Sequence, residues 1–241
     1  MRLKNMFEKG IKIISRILTV AFMFLIADGF YLSRKGFVFE NGQISLVKPA
    51  AAQTAPAPAD IKGFNIDTPY ILGNPDAEIS IFEFSSLGCA HCADFHLSVL
   101  PKLRKDFIDT GKVKLIFADF PIDKKSMQAA MLARCMSEDK YFDFLSTLFK
   151  KQLSWSLSFK SEKLLAGYAE MEGLSQEKIQ KCLNDDNTAA EIMYIRQQAM
   201  EKLDVKATPS FLIKKGDEGE MLTGVPSYDT LKEVLERKIN D

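Results

Sequence analysis

The sequence predicts an α/β fold in which an α-helical domain is inserted between the βαβ and ββα halves of one small sheet. Three observations carry that prediction. A β-rich apolar run over 79–84 gives way at Cys89 to apolar residues at helical spacing, and a second β-rich run follows at 113–117. Between 126 and 203 the pattern is helical throughout. β-type runs then resume at 210–213 and 220–222, before a last amphipathic stretch.

Residues 1–32 stand apart from this body as a signal peptide or signal anchor. Arg2, Lys4, Lys9, Lys12 and Arg16 make a basic start, and the apolar run Ile17–Ala27 follows. Its eleven residues suit the apolar region of a secretory signal better than a membrane span of roughly twenty. Ala27-Asp28-Gly29 and Ala50-Ala51-Ala52 both offer small residues for cleavage. Alternatively the run continues through Phe30, Tyr31 and Leu32 as an uncleaved anchor that tethers the chain, with Asp28 as its polar break. In either case the basic end stays cytoplasmic and the rest is exported. Residues 33–65 read as an Ala/Pro-rich linker, because the alternating prolines between Lys48 and Ala59 cannot hold a regular helix.

The folded body is expected in three parts: a first half at 66–122, a helical domain at 123–186, and a connecting helix with the second half at 187–241. Ile79, Ile81, Phe82 and Phe84 make the first strand, ended by Ser85-Ser86-Leu87-Gly88. Cys92, Phe95, Val99, Leu103 and Phe107 mark one helix face, bent at Pro101 and closed by Thr110-Gly111. Helices are expected at 126–136, 141–153, 162–171 and 175–183, and Thr188 with Glu191 suggests a capping box opening a long helix to Leu203. A final helix from Ser227 is expected to bury Leu231, Val234, Leu235 and Ile239.

Composition narrows the function. Lys+Arg and Asp+Glu are 32 each, a balance that argues against nucleic acid, whose phosphates favour a basic face. Hydrophobic residues at 46% are enough for a proper core.

The chemistry sits at Cys89-Ala90-His91-Cys92. Two cysteines at this spacing close a disulfide across one helical turn. Cys89 stands at the helix N-terminus, where free N–H groups and the dipole favour a thiolate. A CxxC opening the first helix of a βαβ unit is a specific redox signal, whereas a zinc site lacks its second half here.

Residues Ile81 to Cys92, together with Ala207-Thr208-Pro209-Ser210-Phe211, resemble the DsbA-like family of thioredoxin-fold oxidoreductases, over about 66–240. The resemblance implies a thioredoxin-like fold with a helical insertion and a periplasmic protein that passes its disulfide to exported clients with free thiols. It also implies a quinone-linked membrane protein as the reoxidising partner, and no cofactor. Cys89 matches the exposed nucleophile, Cys92 the buried thiol, His91 the usual third motif residue and Glu83 a carboxylate beneath the buried sulfur. Thr208-Pro209 matches a loop whose proline is cis and faces the disulfide. Two positions depart from the common pattern: Ala90 where many members carry proline, and Thr208 where many strong oxidants carry valine. Oxidase against isomerase or reductase therefore stays open.

An imidazole at His91 beside Cys89 would favour the thiolate. His96 follows Cys92 by four residues and reads as a helix-surface residue. The alternative is a copper- or zinc-binding protein using Cys89 and Cys92, with or without His96. Cys135 and Cys182 are left over once Cys89 pairs with Cys92, and in an oxidising compartment they are expected to form a structural disulfide. Two separate buried thiols are the other reading.

Overall fold

The computed structural model describes residues 37–40, 43–46, 56–59, 61, 64, 66, 68 and 70–241. The expected signal or anchor at 1–32 lies outside the described residues. Two units are distinguished, Met1–Ala51 and Ala52–Asp241. In the first, strands β1 (Phe37–Glu40) and β2 (Gln43–Leu46) pair antiparallel.

The second unit is built on a six-stranded sheet of order β3-β8-β7-β5-β6-β4. Its strands are β3 (Ala57–Pro58), β4 (Ile71–Leu72), β5 (Ile79–Ser85), β6 (Val113–Asp119), β7 (Ser210–Lys215) and β8 (Glu218–Thr223). β5 and β6 are parallel and the other pairs antiparallel. The linker expected over 33–65 is corrected here, since it contains β1, β2 and β3. Ala57 and Pro58 pair with Met221 and Glu220 at the sheet edge, a place where proline costs no ladder bond. Ile61 and Phe64 are buried against the same sheet, so the folded body begins before residue 66.

The first crossover helix, α1, runs over 90–108 in alternating segments: α-helical Ala90–Asp94 and Leu100–Leu103, π-helical Phe95–Val99 and Arg104–Ile108. Pro101 lacks the N–H that would bond the Leu97 carbonyl. The turn before it opens instead, and the Leu100 N–H donates to Phe95 O, five residues back. The expected bend is thus taken up as a wider turn.

Five helices follow β6: α2 (Lys124–Arg134), α3 (Glu138–Lys150), α4 (Gln152–Ser156), α5 (Ser161–Met171) and α6 (Gln176–Leu183). The long helix α7 (Asp186–Leu203) leads back to the sheet, and α8 (Tyr228–Asn240) closes the chain. The Thr188/Glu191 capping box is corrected. Asp185 caps α7, accepting from the Asn187 N–H at 3.1 Å and the Thr188 hydroxyl at 2.9 Å. A carboxylate at the cap competes well with a threonine three residues on.

Strand alternation divides the core. Ile79 and Ile81 face α1 and α8, meeting Phe95, Leu103, Leu231 and Val234. Phe82 and Phe84 face α7, meeting Ile195, Ala199 and Leu203. A third cluster fills the helical domain around Tyr141, Phe144, Leu148 and Trp155, and it reaches Leu87 and Cys92. That continuity seats the α1 mouth between sheet and insertion.

Candidate active site

β5 delivers the chain to the site through Ser86-Leu87-Gly88. The Cys89 N–H donates to Ser86 O at 3.0 Å, and the Gly88 N–H to Ser86 Oγ at 3.3 Å. A Cβ on Gly88 would lie 3.2 Å from Ser126 Cβ, so the loop packs closely against the start of α2. Gln152, buried on α4, donates from Nε2 to the carbonyls of Leu87 at 2.7 Å and Cys89 at 2.9 Å. The helical domain therefore grips the cysteine loop directly. Gln152 escaped the sequence reading, because its partners lie 65 and 63 residues away and leave no local pattern.

Cys89 is the N-cap of α1, in extended conformation. Its carbonyl accepts from the N–H groups of Cys92 at 3.1 Å and Ala93 at 3.2 Å. Cys89 and Cys92 are not joined to each other in this structure, Cys89 being half-buried and Cys92 fully buried. Hydrogen bonding from the Cys92 thiol brings Cys89 down to about 5, against its partial burial, which raises it. The Thr208 side chain and the main-chain N–H groups of Cys92 and His91 add to the lowering. Burial pushes the Cys92 thiol far up, and its bond to Cys89 and the charge of Glu83 push the same way. One sulfur is thus held as a thiolate and its neighbour as a thiol.

Across the site, the Thr208–Pro209 peptide is cis. In its protonated form Cys89 Sγ donates to Thr208 O at 3.4 Å. The structure brings Thr208, Pro209, Cys89 and Cys92 to one corner.

His91 faces outward instead. Its side chain is 75% exposed, with Nδ1 3.5 Å from Asp94 Oδ2. The group it turns toward Cys89 is its main-chain N–H, so the expected imidazole contact is replaced by a backbone one. His96 is corrected from a surface residue to a buried one. Its Nε2 lies 3.1 and 2.9 Å from the two Glu83 oxygens, and its ring stacks on Phe149 with centroids 4.2 Å apart. The wider turn at Phe95–Val99 carries it beneath α1, where Glu83 needs a partner. The nitrogen that the metal reading offered as a further ligand is engaged by Glu83. Among the described residues no group of three or more His, Cys, Asp or Glu converges as metal ligands.

Cys135 and Cys182 are joined in a disulfide with Cα atoms 6.2 Å apart. It ties the end of α2 to α6, inside the helical domain.

The sheet order, the cysteine-bearing helix after β5 and the helices spliced in before β7 define a thioredoxin-fold thiol–disulfide oxidoreductase with a helical insertion. The comparisons narrow that class. The Thioredoxin family profile matches residues 65–237. Alpha-DsbA1 of Wolbachia pipientis superposes with a TM-score of 0.69 at 31% identity, covering 76% of this chain and 96% of that one. Oxidised BdbD from Bacillus subtilis gives 0.64 at 26%, covering 78% and 98%. Disulfide bond formation protein D of Bacillus subtilis is 27% identical over 173 residues, 70% of this chain and 76% of its own. The chain belongs to the DsbA-like protein-disulfide oxidoreductases.

Proposed function

We propose that this protein works in the periplasm as a dithiol oxidant, passing a Cys89–Cys92 disulfide to exported proteins with free thiols. The observation that carries the reading is the asymmetry of the two sulfurs, Cys89 lowered to about 5 and half-exposed, Cys92 raised and buried. A client thiolate attacks the reachable Cys89 sulfur and expels Cys92. A second client thiolate then attacks the client sulfur of the mixed disulfide, and Cys89 departs as a stable thiolate. Because the reduced protein keeps that stabilised thiolate, its own disulfide is the less stable state, which drives transfer to the client.

Thr208 and Pro209 form the wall against which the client sulfur lies. The Thr208 side chain supports the Cys89 thiolate, and the Thr208 carbonyl accepts from the Cys89 thiol at 3.4 Å. Export is supported by the basic and apolar start of the chain and by the Cys135–Cys182 bond, which suits an oxidising compartment. Return to the disulfide form falls to a quinone-linked membrane protein, with residues 1–32 as either a cleaved signal or a tether.

The test is equilibration with a glutathione buffer, together with oxidation of a reduced two-cysteine peptide. The expected result is a potential well above about −270 mV, the thioredoxin value, and stoichiometric transfer to the peptide. A potential at the thioredoxin level would assign the protein to reduction or isomerisation instead.

A further inference from the structure

The helical insertion carries more apolar side chains than its core absorbs. On α4, Gln152 and Trp155 point inward, Trp155 fully buried with its Nε1–H donating to Leu148 O at 2.9 Å. Leu153 and Leu157, four residues apart, take the outward face and are 71% and 75% exposed. In the turn that follows Phe159 is wholly exposed, and Met171 at the end of α5 is 82% exposed. That turn is braced. The Ser158 N–H donates to Trp155 O at 3.3 Å, and the Lys160 N–H to Ser158 Oγ at 2.9 Å. Beside it, Lys163, Leu164, Tyr168 and Met171 line an open groove of about 400 Å³. Single exposed apolar residues are ordinary, but a run of them rimmed by polar groups marks an interaction site.

The charge around this face indicates the partner. The whole chain is balanced, with 32 basic and 32 acidic residues. From 144 to 169, however, Lys150, Lys151, Lys160 and Lys163 stand against Glu162 alone, which accepts from Gln128 Nε2 at 2.7 Å. All four lysines are exposed. Among the described residues the lysine ion pairs fall elsewhere, at Lys206, Lys215, Lys232 and Lys238. Lys125 of α2 reaches the same end of α4, donating to Ser156 O at 2.6 Å, and the exposed Ile122 and Lys124 precede it. Asp123 between them is occupied as the α2 cap. Protein interfaces are depleted in lysine, whereas unpaired lysines around exposed apolar side chains suit anionic headgroups over acyl chains.

We infer that the α4–α5 face docks on an anionic phospholipid surface. Leu153, Leu157 and Phe159 enter the boundary between headgroups and acyl chains, and Lys150, Lys151, Lys160 and Lys163 pair with headgroup phosphates. Gln152, on the same short helix, holds the Cys89 loop, so that loop lies one helix diameter, ~10 Å, from the docked face. Docking sets the cysteine mouth beside the bilayer, where the membrane partner proposed above would reoxidise it. The docking itself stands on the α4–α5 residues and does not need that partner.

The test places a reporter on the face, Phe159→Trp in the full chain, read by its emission and by quenching from brominated lipids. Trp155, the one native tryptophan, is buried and serves as internal reference. Vesicles of equal parts phosphatidylglycerol and phosphatidylcholine should shift the reporter to the blue and expose it to quenching. Phosphatidylcholine alone, or the mixed vesicles at high salt, should do much less of both. Any attachment through residues 1–32 is common to both vesicle types, so the difference between them reads the face. Adding Lys160→Gln and Lys163→Gln should lower the partition constant about 25-fold, about fivefold for each lysine. Peptide oxidation in free solution should stay at the wild-type rate. A reporter unchanged by the mixed vesicles, or quenched equally in phosphatidylcholine alone, would overturn the proposal. A blue shift given instead by an unfolded reduced client, or by raising the protein concentration without lipid, would assign the face to clients or to a second copy and overturn it too. A reduction potential at the thioredoxin level, by contrast, would remove the function proposed above and leave the docking standing.

Discussion

Cys89 and Cys92 divide their labour because one main-chain cap places them in different media. Cys89 sits where the α1 N–H groups converge, and Cys92 points into the cluster formed by Leu87, Phe117 and Phe149. Cys89→Ser should therefore abolish exchange, while Cys92→Ser, whose lone Cys89 thiolate still joins a client disulfide, should accumulate the mixed disulfides that Cys92 otherwise resolves by expelling the client. Equal trapping in both variants, read on non-reducing gels, would reverse the assignment. His91 offers a sharper test, since the structure gives its contribution to the N–H and not to the ring. His91→Ala should leave the Cys89 titration, followed by thiolate absorbance, near its wild-type midpoint at about 5. His91→Pro removes the N–H and should raise that midpoint and lower the reduction potential. A larger shift in the alanine variant would restore the role to the imidazole. The cysteines, Glu83 and the Thr208-Pro209 corner were legible in sequence because family motifs span them. His96 was not, since its partner is a carboxylate on β5, thirteen residues back in the chain, and leaves no local pattern.

At the scale of elements, the helical insertion holds the site as well as covering it. Gln152 on α4 fills two carbonyls of the cysteine loop. Gln152→Ala leaves both without that buried donor and should cost ~1–3 kcal/mol in denaturant unfolding. It should also speed alkylation of Cys92 by loosening the loop above it. A change in stability without faster alkylation would confine Gln152 to a structural role. The insertion has its own fastening in Cys135–Cys182. Replacing both by serine should cost ~2–4 kcal/mol, and peptide mapping under graded reductant should open Cys89–Cys92 before Cys135–Cys182. Helices and strands of the body were readable because their apolar periods are long. The short β3 and the early start of α7 were not, because one is fixed by a distant sheet edge and the other by a carboxylate outside the periodic run.

For the whole molecule, the thiol asymmetry ties stability to both redox state and pH. In the folded reduced protein Cys89 titrates at about 5, against a usual thiol value of 9.0. A depressed group stabilises the fold fully above its unfolded value, and that contribution is lost as pH falls through the folded value. The reduced protein should therefore be progressively less stabilised as pH drops from about 9 toward about 5. Cys92, raised by burial, stays a thiol in the folded chain, and its ionisation in the unfolded chain opposes the Cys89 slope only at about pH 9, fading below about pH 8. With the 89–92 disulfide closed neither group titrates, so the oxidised protein lacks this dependence. Both forms share the Cys135–Cys182 bond, and the closed 89–92 link constrains the unfolded chain equally at every pH, so the pH dependence of the difference between their unfolding temperatures isolates the Cys89 thiolate. Calorimetry of the two forms, with mild reductant that spares Cys135–Cys182, should find the reduced protein more stable at pH 8. The gap should narrow steadily toward pH 5. A gap that stays constant, or an oxidised form that is the more stable at pH 8, would remove the driving force on which disulfide donation depends.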